Sequence, residues 1–305
     1  RATNAKQEFY LPNFGMNWKV VNGLELRLNA ALQAQLPNPE QLNSTTVFTG
    51  INTVTKGADT VNMRTGYNIN TAVICFPNNQ RYNFLIFALY NKLPNIYANN
   101  FFGRGLYTMY NLMPFNNDND NISIFFNFNK NLAAIKSWLK INFNYIYNKS
   151  YSSTVGLPTS NTISMLKSEI RFNTNWNKWF NINTGIVYTT SSQNSLIANV
   201  IGNSFSSQDW LTNTTIELKL HEKYFLNIQH DYLINQPYNQ RLQYIQFIDT
   251  KFRYNINSKW HATLLLRNML NANKFITNNA NSTVNIVQNF SLKPFFALVT
   301  VGYKF

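Results

Sequence analysis

The feature that most constrains this chain is an alternation of apolar and polar residues with a period of two, broken by turn chemistry roughly every 20–25 residues. From Leu24 to Gln33, Leu24, Leu26, Leu28, Ala30 and Leu32 fall on one side, and Glu25, Arg27, Asn29 and Gln33 on the other. Leu139, Ile141, Phe143, Tyr145 and Tyr147 oppose Lys140, Asn142, Asn144 and Asn148 in the same way. Leu166, Ile170 and Phe172 oppose Lys167, Glu169, Arg171 and Asn173, and Ile216, Leu218 and Leu220 oppose Glu217 and Lys219. Side chains along a strand alternate in direction, so this pattern sorts the chain into two-faced β-strands. No apolar run approaches the ~18–20 residues of a membrane helix. A chain of this kind therefore either folds in water or crosses a bilayer as strands, because only helices and closed barrels leave no backbone polar group unpaired in lipid.

Three details favour the bilayer. Charged residues make up only 12% of the chain and aromatics 15%. Asparagine, with roughly 50 copies, supplies polarity without formal charge, well above its usual share. Charges and amides stand in the middle of the polar sides, as a wet lumen permits. Rings gather at strand ends beside short turns, at Trp138, Trp176, Trp179, Tyr224 and Trp260, the positions of an interfacial girdle. Short connections (21–23, 77–80, 132–137, 175–178, 221–223, 257–259) also alternate with long ones near 35–65, 92–120, 150–162, 191–208, 236–241 and 270–289, as in transmembrane barrels.

The expected fold is all-β, a transmembrane antiparallel β-barrel of outer-membrane type. Its strands lie near 9–20, 24–34, 65–76, 81–91, 121–130, 138–149, 163–174, 180–190, 209–220, 224–235, 242–256, 260–270 and 292–305. Residues 105–116 are placed in a long external connection that folds its own hairpin. An odd count conflicts with the even number usual in bacterial barrels, so further strands are expected before Arg1. The whole of 1–305 then reads as one barrel domain, the C-terminal portion of a larger barrel.

The net charge is +14, but Lys and Arg are spread singly and not in runs, which argues against a nucleic-acid partner. Candidate lumen-facing residues are Glu25, Arg27, Lys167, Glu169, Arg171, Glu217, Lys219, Asp249, Lys251 and Arg253. They either pair across neighbouring strands and stiffen the wall or form a basic lumen that attracts anions or seats a plug. The single cysteine, Cys75, excludes an internal disulfide. His221, His230 and His261 build no catalytic constellation. His230 and Asp231 are adjacent in a strand and point to opposite sides, so no enzyme activity, metal or cofactor is expected.

The chain ends Val299-Thr300-Val301-Gly302-Tyr303-Lys304-Phe305, with Val299, Val301, Tyr303 and Phe305 on one side. This resembles the C-terminal strand of bacterial outer-membrane proteins. The resemblance implies that Val301, Tyr303 and Phe305 carry the signal read by the barrel assembly machinery. Residues 10–43, with Leu11-Pro12, Asn22-Gly23, Leu26-Arg27-Leu28, Pro37, Pro39 and Leu42, resemble a strand–turn–strand segment of Bacteroidetes-type TonB-dependent receptors (SusC-like). Leu266-Arg267-Asn268-Met269-Leu270-Asn271 is similar to the strand that precedes the last loop of those receptors. The resemblance implies a 22-stranded barrel filled by an N-terminal plug, of which this chain would be the C-terminal part. It also implies the outer membrane of a Gram-negative bacterium, outer-membrane lipid around the barrel, and uptake of a large nutrient ligand. TonB would act through the N-terminal part, and a surface lipoprotein would be a partner. A non-transporting subunit of an outer-membrane assembly and a passive porin stand as alternatives.

Overall fold

A computed structural model describes residues 8, 10–35, 45–57, 64–77, 81–104, 107–154, 157–176, 179–197, 200–236, 242–280 and 285–303. The chain is all-β. Its strands are β1 (Asn13–Val21), β2 (Leu24–Gln35), β3 (Thr46–Gly50), β4 (Thr53–Lys56), β5 (Arg64–Cys75), β6 (Tyr82–Arg104), β7 (Tyr107–Leu132), β8 (Ser137–Thr154), β9 (Leu157–Thr174), β10 (Phe180–Ile197), β11 (Val200–His221), β12 (Tyr224–Gln236), β13 (Gln243–Asn255), β14 (Trp260–Arg267), β15 (Lys274–Ala280), β16 (Asn285–Ser291) and β17 (Phe296–Tyr303). Thirteen of them form a meander in the order β1-β2-β5-β6-β7-β8-β9-β10-β11-β12-β13-β14-β17. Every neighbouring pair on that path is antiparallel. The thirteen strands expected from the alternation each have a counterpart in this wall.

The long connections differ from expectation, because much of what lacks apolar alternation is still strand. β10 and β11 remain paired out to Ile197↔Val200, and β8 and β9 out to Thr154↔Leu157. These outer halves are rich in Ser, Thr and Asn, which have no apolar side to bury. The ladder's own backbone hydrogen bonds sustain them, helped by side-chain pairs such as Ser191 with Ser207 at 2.8 Å. Residues 107–116 belong likewise to the outer end of the β6–β7 ribbon, paired from Arg104↔Tyr107 to Tyr97↔Pro114. The hairpin expected in this connection is the continuation of β6 and β7. A bulge between Asn95 and Tyr97 marks a change of neighbours. In the wall β6 lies beside β5 and β7 beside β8. Beyond the bulge β7 pairs in parallel with β4 (Thr53↔Thr108), and β6 pairs in parallel with β8 (Asn100↔Ser153). The ribbon has thus made a half-turn about its own axis at the long-connection end.

Two glycines are required by close approach. Gly23 closes the β1–β2 turn with φ of 87°, and its carbonyl accepts from the Phe76 amide at 2.6 Å, tying the turn to the end of β5. Gly66 lets β5 pass close to Lys92 and the fully buried Pro94 of β6. A Cβ there would lie 2.2 Å from the Lys92 carbonyl oxygen and 2.7 Å from Pro94 Cδ. Neither contact can relax by side-chain rotation. Gly66→Ala is therefore expected to cost about 1–3 kcal/mol, seen as a lower denaturant midpoint for the folded, heat-modifiable form on gels. An unchanged midpoint would mean that β5 and β6 separate there without cost.

Candidate functional site

Register decides which residues share a face, since directly paired residues on neighbouring strands point the same way. One row runs Arg27↔Ala72↔Phe87↔Phe125↔Asn144↔Lys167 from β2 to β9. A second runs Asn173↔Asn183↔Thr215↔Gln229↔Asp249 from β9 to β13. Strand alternation from these rows places Glu25, Arg27, Lys167, Glu169, Arg171, Glu217, Lys219, Asp249, Lys251 and Arg253 all on one face. The opposite face carries the row Ile182↔Ile216↔Ile228↔Thr250↔Leu266↔Ala297.

The apolar face is uncovered. Ile170 is 52% exposed, and Ile186, Val299 and Val301 are also exposed. Among the described residues the buried apolar side chains are few: Val54, Cys75, Pro94 and Ile245. An apolar surface of this extent is not a water-soluble exterior. It is bounded by rings at both ends. At the short-turn end, Trp176 lies against Phe172 and Phe180, Tyr224 stacks on Phe252 and on Tyr254 (5.0 Å), and Trp260 meets Tyr303 (4.8 Å). At the long-connection end stand Tyr67–Tyr90 (5.6 Å), Tyr188–Trp210 (4.3 Å) and Tyr232–Tyr244 (6.5 Å). Tyr244 and Tyr254 are separated by about 33 Å of strand at ~3.3 Å per residue, or about 25 Å in height at a tilt near 40°, the height of an outer-membrane apolar band.

The five rings singled out as a girdle divide. Trp176, Tyr224 and Trp260 belong to the short-turn row. Trp138 and Trp179 do not, because Trp138 pairs with Asn173 and alternates with Lys140, and Trp179 alternates with Asn181. Both stand at the short-turn edge of the polar face. Val301 and Tyr303 point to the apolar face, and Phe305 lies outside the described residues.

The polar face is organised by amides and by pairs within strands, more than by the cross-strand ion pairs expected. Arg27 donates to Glu25 through Nε at 2.8 Å and a terminal nitrogen at 3.2 Å, and Arg171 donates to Glu169. Positions i and i+2 share a face, and the long Arg side chain closes the gap between them. The cross-strand pair Arg267–Asp249 is looser, at 3.8 Å. Between strands runs an amide ladder. Asn129 donates to Asn83 (2.9 Å) and Asn127 (2.6 Å), Asn127 to Asn142 (2.5 Å), and Asn142 to Glu169 (2.7 Å). Asn127 and Asn142 each donate and accept, so the ladder crosses four strands and ends on a carboxylate. This is what the abundance of asparagine does here.

Hollows open on the polar face. One, of about 660 Å³, is lined by Trp179, Asn181, Glu217, Lys219, Phe225, Asn227, Lys251, Arg253 and Asn255, among others. A second, about 370 Å³, shares Lys251 and Arg253 and adds His261, Thr263, Arg267 and Thr300. A small one of about 70 Å³ lies beside Arg171 and Asn213. Among the described residues no cluster of His, Cys, Asp or Glu has the arrangement of a metal site.

Sequence reasoning passed over the role of Asn268. It sits in the left-handed region (φ 50°) at the end of β14 and is 6% exposed. Its side-chain oxygen accepts from the Ala272 amide at 2.9 Å, and its Nδ2 donates to the carbonyls of Ala272 and Lys293, each at 2.8 Å. Its own amide donates to Asp249 at 2.8 Å. Asn271, also left-handed (φ 53°), accepts from the Phe295 amide at 3.2 Å. Together they staple the base of the β15–β16 hairpin to the wall. The available signal was two asparagines three positions apart at a strand end, since Asn is among the few residues that adopt this backbone readily.

No protein-family model and no curated protein sequence matches the chain. Among solved structures it is similar to the ferric yersiniabactin uptake receptor FyuA of Yersinia pestis, at 12% identity and a TM-score of 0.46 over 96% of this chain and 49% of that one. It is also similar to the ferric-catecholate import receptor Fiu of E. coli K12 in its closed form, at 6% identity and a TM-score of 0.43 over 88% of this chain and 48% of that one. The chain spans about half the length of these receptors. The translocator domain of the autotransporter NalP of Neisseria meningitidis matches with a TM-score of 0.25 at 14% identity, over 97% of this chain and 86% of that one.

Proposed function

We propose that residues 1–305 form part of the wall of an outer-membrane β-barrel that takes up a solute. The face of Glu25, Lys167 and Asp249 would line a water-filled lumen, and the face of Leu26, Ile216 and Leu264 would meet lipid. The observation that carries this reading is the exposed apolar band between two rows of rings. A soluble sandwich would bury that band against a second sheet. Strand direction supports a larger barrel. Thirteen strands in antiparallel succession leave β1 and β17 running the same way, so sealing one against the other would need a parallel seam in an otherwise antiparallel wall. An odd number of further strands removes that conflict.

The finer reading is a TonB-dependent receptor of SusC-like type, importing a large nutrient ligand with TonB and a surface lipoprotein as partners. It rests on the segments 10–43 and 266–271, and the second of these contains the stapling residues Asn268 and Asn271. Val301, Tyr303 and Phe305 would serve the assembly machinery from the last strand.

The lumen-and-lipid assignment is tested with cysteines at adjacent positions. In the full-length protein in outer-membrane vesicles, with Cys75→Ser as background, Gln229→Cys should react readily with a water-soluble maleimide. Ile228→Cys, on the opposite face midway between Tyr224 and Tyr232, should stay unlabelled. Equal labelling of the two would eliminate a lipid-facing band.

A further inference from the structure

We propose that the hollow among β10, β11, β12 and β13 at the short-turn end of the polar face binds a small organic anion with a flat apolar part, of the class of aryl phosphates and aryl carboxylates. The proposal rests on that face being the wet one and adds a ligand chemistry to it.

The cations of this face are not treated alike. Arg27, Arg171 and Arg267 each have a carboxylate, in Glu25, Glu169 and Asp249. Among the described residues Lys219, Lys251 and Arg253 have none. Lys219 rests over the Phe225 ring at 5.4 Å, and Arg253 donates to the Asn255 amide oxygen at 3.0 Å. These three cations converge on one hollow, in which Glu217 is the single carboxylate of the lining. Register brings them together: Lys219 pairs with Phe225, Phe225 with Arg253 and Asn227 with Lys251. Three cations without a carboxylate thus meet in one place, apart from Lys140 and Lys167 on β8 and β9.

The same hollow has apolar walls. The Trp179 indole, 57% exposed, and Phe225 line it together with the amides of Asn181, Asn227 and Asn255. The membrane interface does not account for Trp179, which stands on the polar face. Cations matched to an anion, rings matched to a flat apolar group and amides for orientation make up the usual lining of a small-molecule site. The volume of about 660 Å³ also falls within the ~300–1,000 Å³ range of such sites. The neighbouring hollow, sharing Lys251 and Arg253 and adding Arg267 and His261, extends the positive surface toward β17.

The test is calorimetric titration of the full-length protein in detergent micelles with 1-naphthyl phosphate, 1-naphthol and inorganic phosphate. The aryl phosphate should bind at least about tenfold more tightly than either fragment, and added salt should weaken it without affecting 1-naphthol. The double variant Lys251→Gln with Arg253→Gln should lose about tenfold or more of that affinity while keeping its heat-modifiable gel mobility. Trp179→Ala should weaken the aryl phosphate but not inorganic phosphate. Equal binding of 1-naphthol and 1-naphthyl phosphate would overturn the proposal, as would a folded double variant that binds like the parent. If the double variant does not fold, the salt dependence of the parent protein decides alone. Failure of the barrel reading would appear instead in the Gln229/Ile228 labelling contrast, which involves no anion.

Discussion

Ile216→Lys should cost about 2–4 kcal/mol of folding stability in a bilayer, the price of a cation at the midplane of an outer-membrane barrel, while Thr215→Lys should cost less than about 1 kcal/mol. The two residues are neighbours in β11 with similar strand propensity. They differ in the face they occupy. Ile216 pairs with Ile182 and Ile228, and Ile228 lies midway between the Tyr224 and Tyr232 rings. Thr215 pairs with Asn183 and Gln229, both amides on the polar face. A Lys at 216 would lay its short stem along the apolar band without bringing the ammonium to water, whereas a Lys at 215 would project from the polar face. The measurement is the denaturant midpoint for folding of the full-length protein into lipid vesicles, followed by the heat-modifiable gel shift. Equal costs at the two positions, or a greater cost at 215, would be incompatible with the assigned faces.

Asn268→Ala should release the β15–β16 hairpin from the wall at a cost of about 4 kcal/mol. Three side-chain hydrogen bonds of 2.8–2.9 Å are lost, each contributing about 0.5–1.5 kcal/mol net. Alanine must also hold a left-handed backbone, which adds about 1 kcal/mol. Asn268→Gly relieves the backbone strain but restores no bond, so it should recover only that part. Asn268→Asp keeps an acceptor for the Ala272 amide, loses both donations and brings a second carboxylate toward Asp249, so it should not rescue. The readouts are hydrogen exchange at the Ala272 amide and protease cleavage within 270–293 in membrane-embedded protein. Protection equal to the parent in Asn268→Ala would show that the hairpin is held by other contacts.

These two predictions fall on either side of a line between local and non-local information. The Ile216/Thr215 contrast is legible in the residues alone. Period-two alternation fixes two faces per strand, and short turns force the next strand to be antiparallel. Pairing then carries face identity from one strand to the next. Hence the ten charged residues read as one face are one face in the structure, although β2 and β13 are far apart in the chain. The same parity reasoning places Trp138 with Lys140 on the polar face, apart from the ring rows of the apolar face. Its position beside a short turn suggested a girdle, but alternation within its own strand decides the matter.

The Asn268 staple needed the tertiary structure, because its partners are Lys293 and the Ala272 backbone and its value depends on burial between elements distant in sequence. The outer halves of β8 to β11 were equally hidden, since Ser-, Thr- and Asn-rich ribbons are held by ladder hydrogen bonds and show no apolar pattern. So was the half-turn of β6–β7, which is set by which edges β4 and β8 offer. The charge pairing within strands, and the unmatched Lys219, Lys251 and Arg253 beside Trp179, also depend on where side chains end and not on their spacing. The alternation thus determined by itself that this protein is a two-faced antiparallel wall, because strand parity is local and is inherited through tight turns. Only the tertiary structure decided where that wall is stapled, where its ribbons cross and where Lys219, Lys251 and Arg253 meet, because those depend on contacts between residues that no period in the sequence connects.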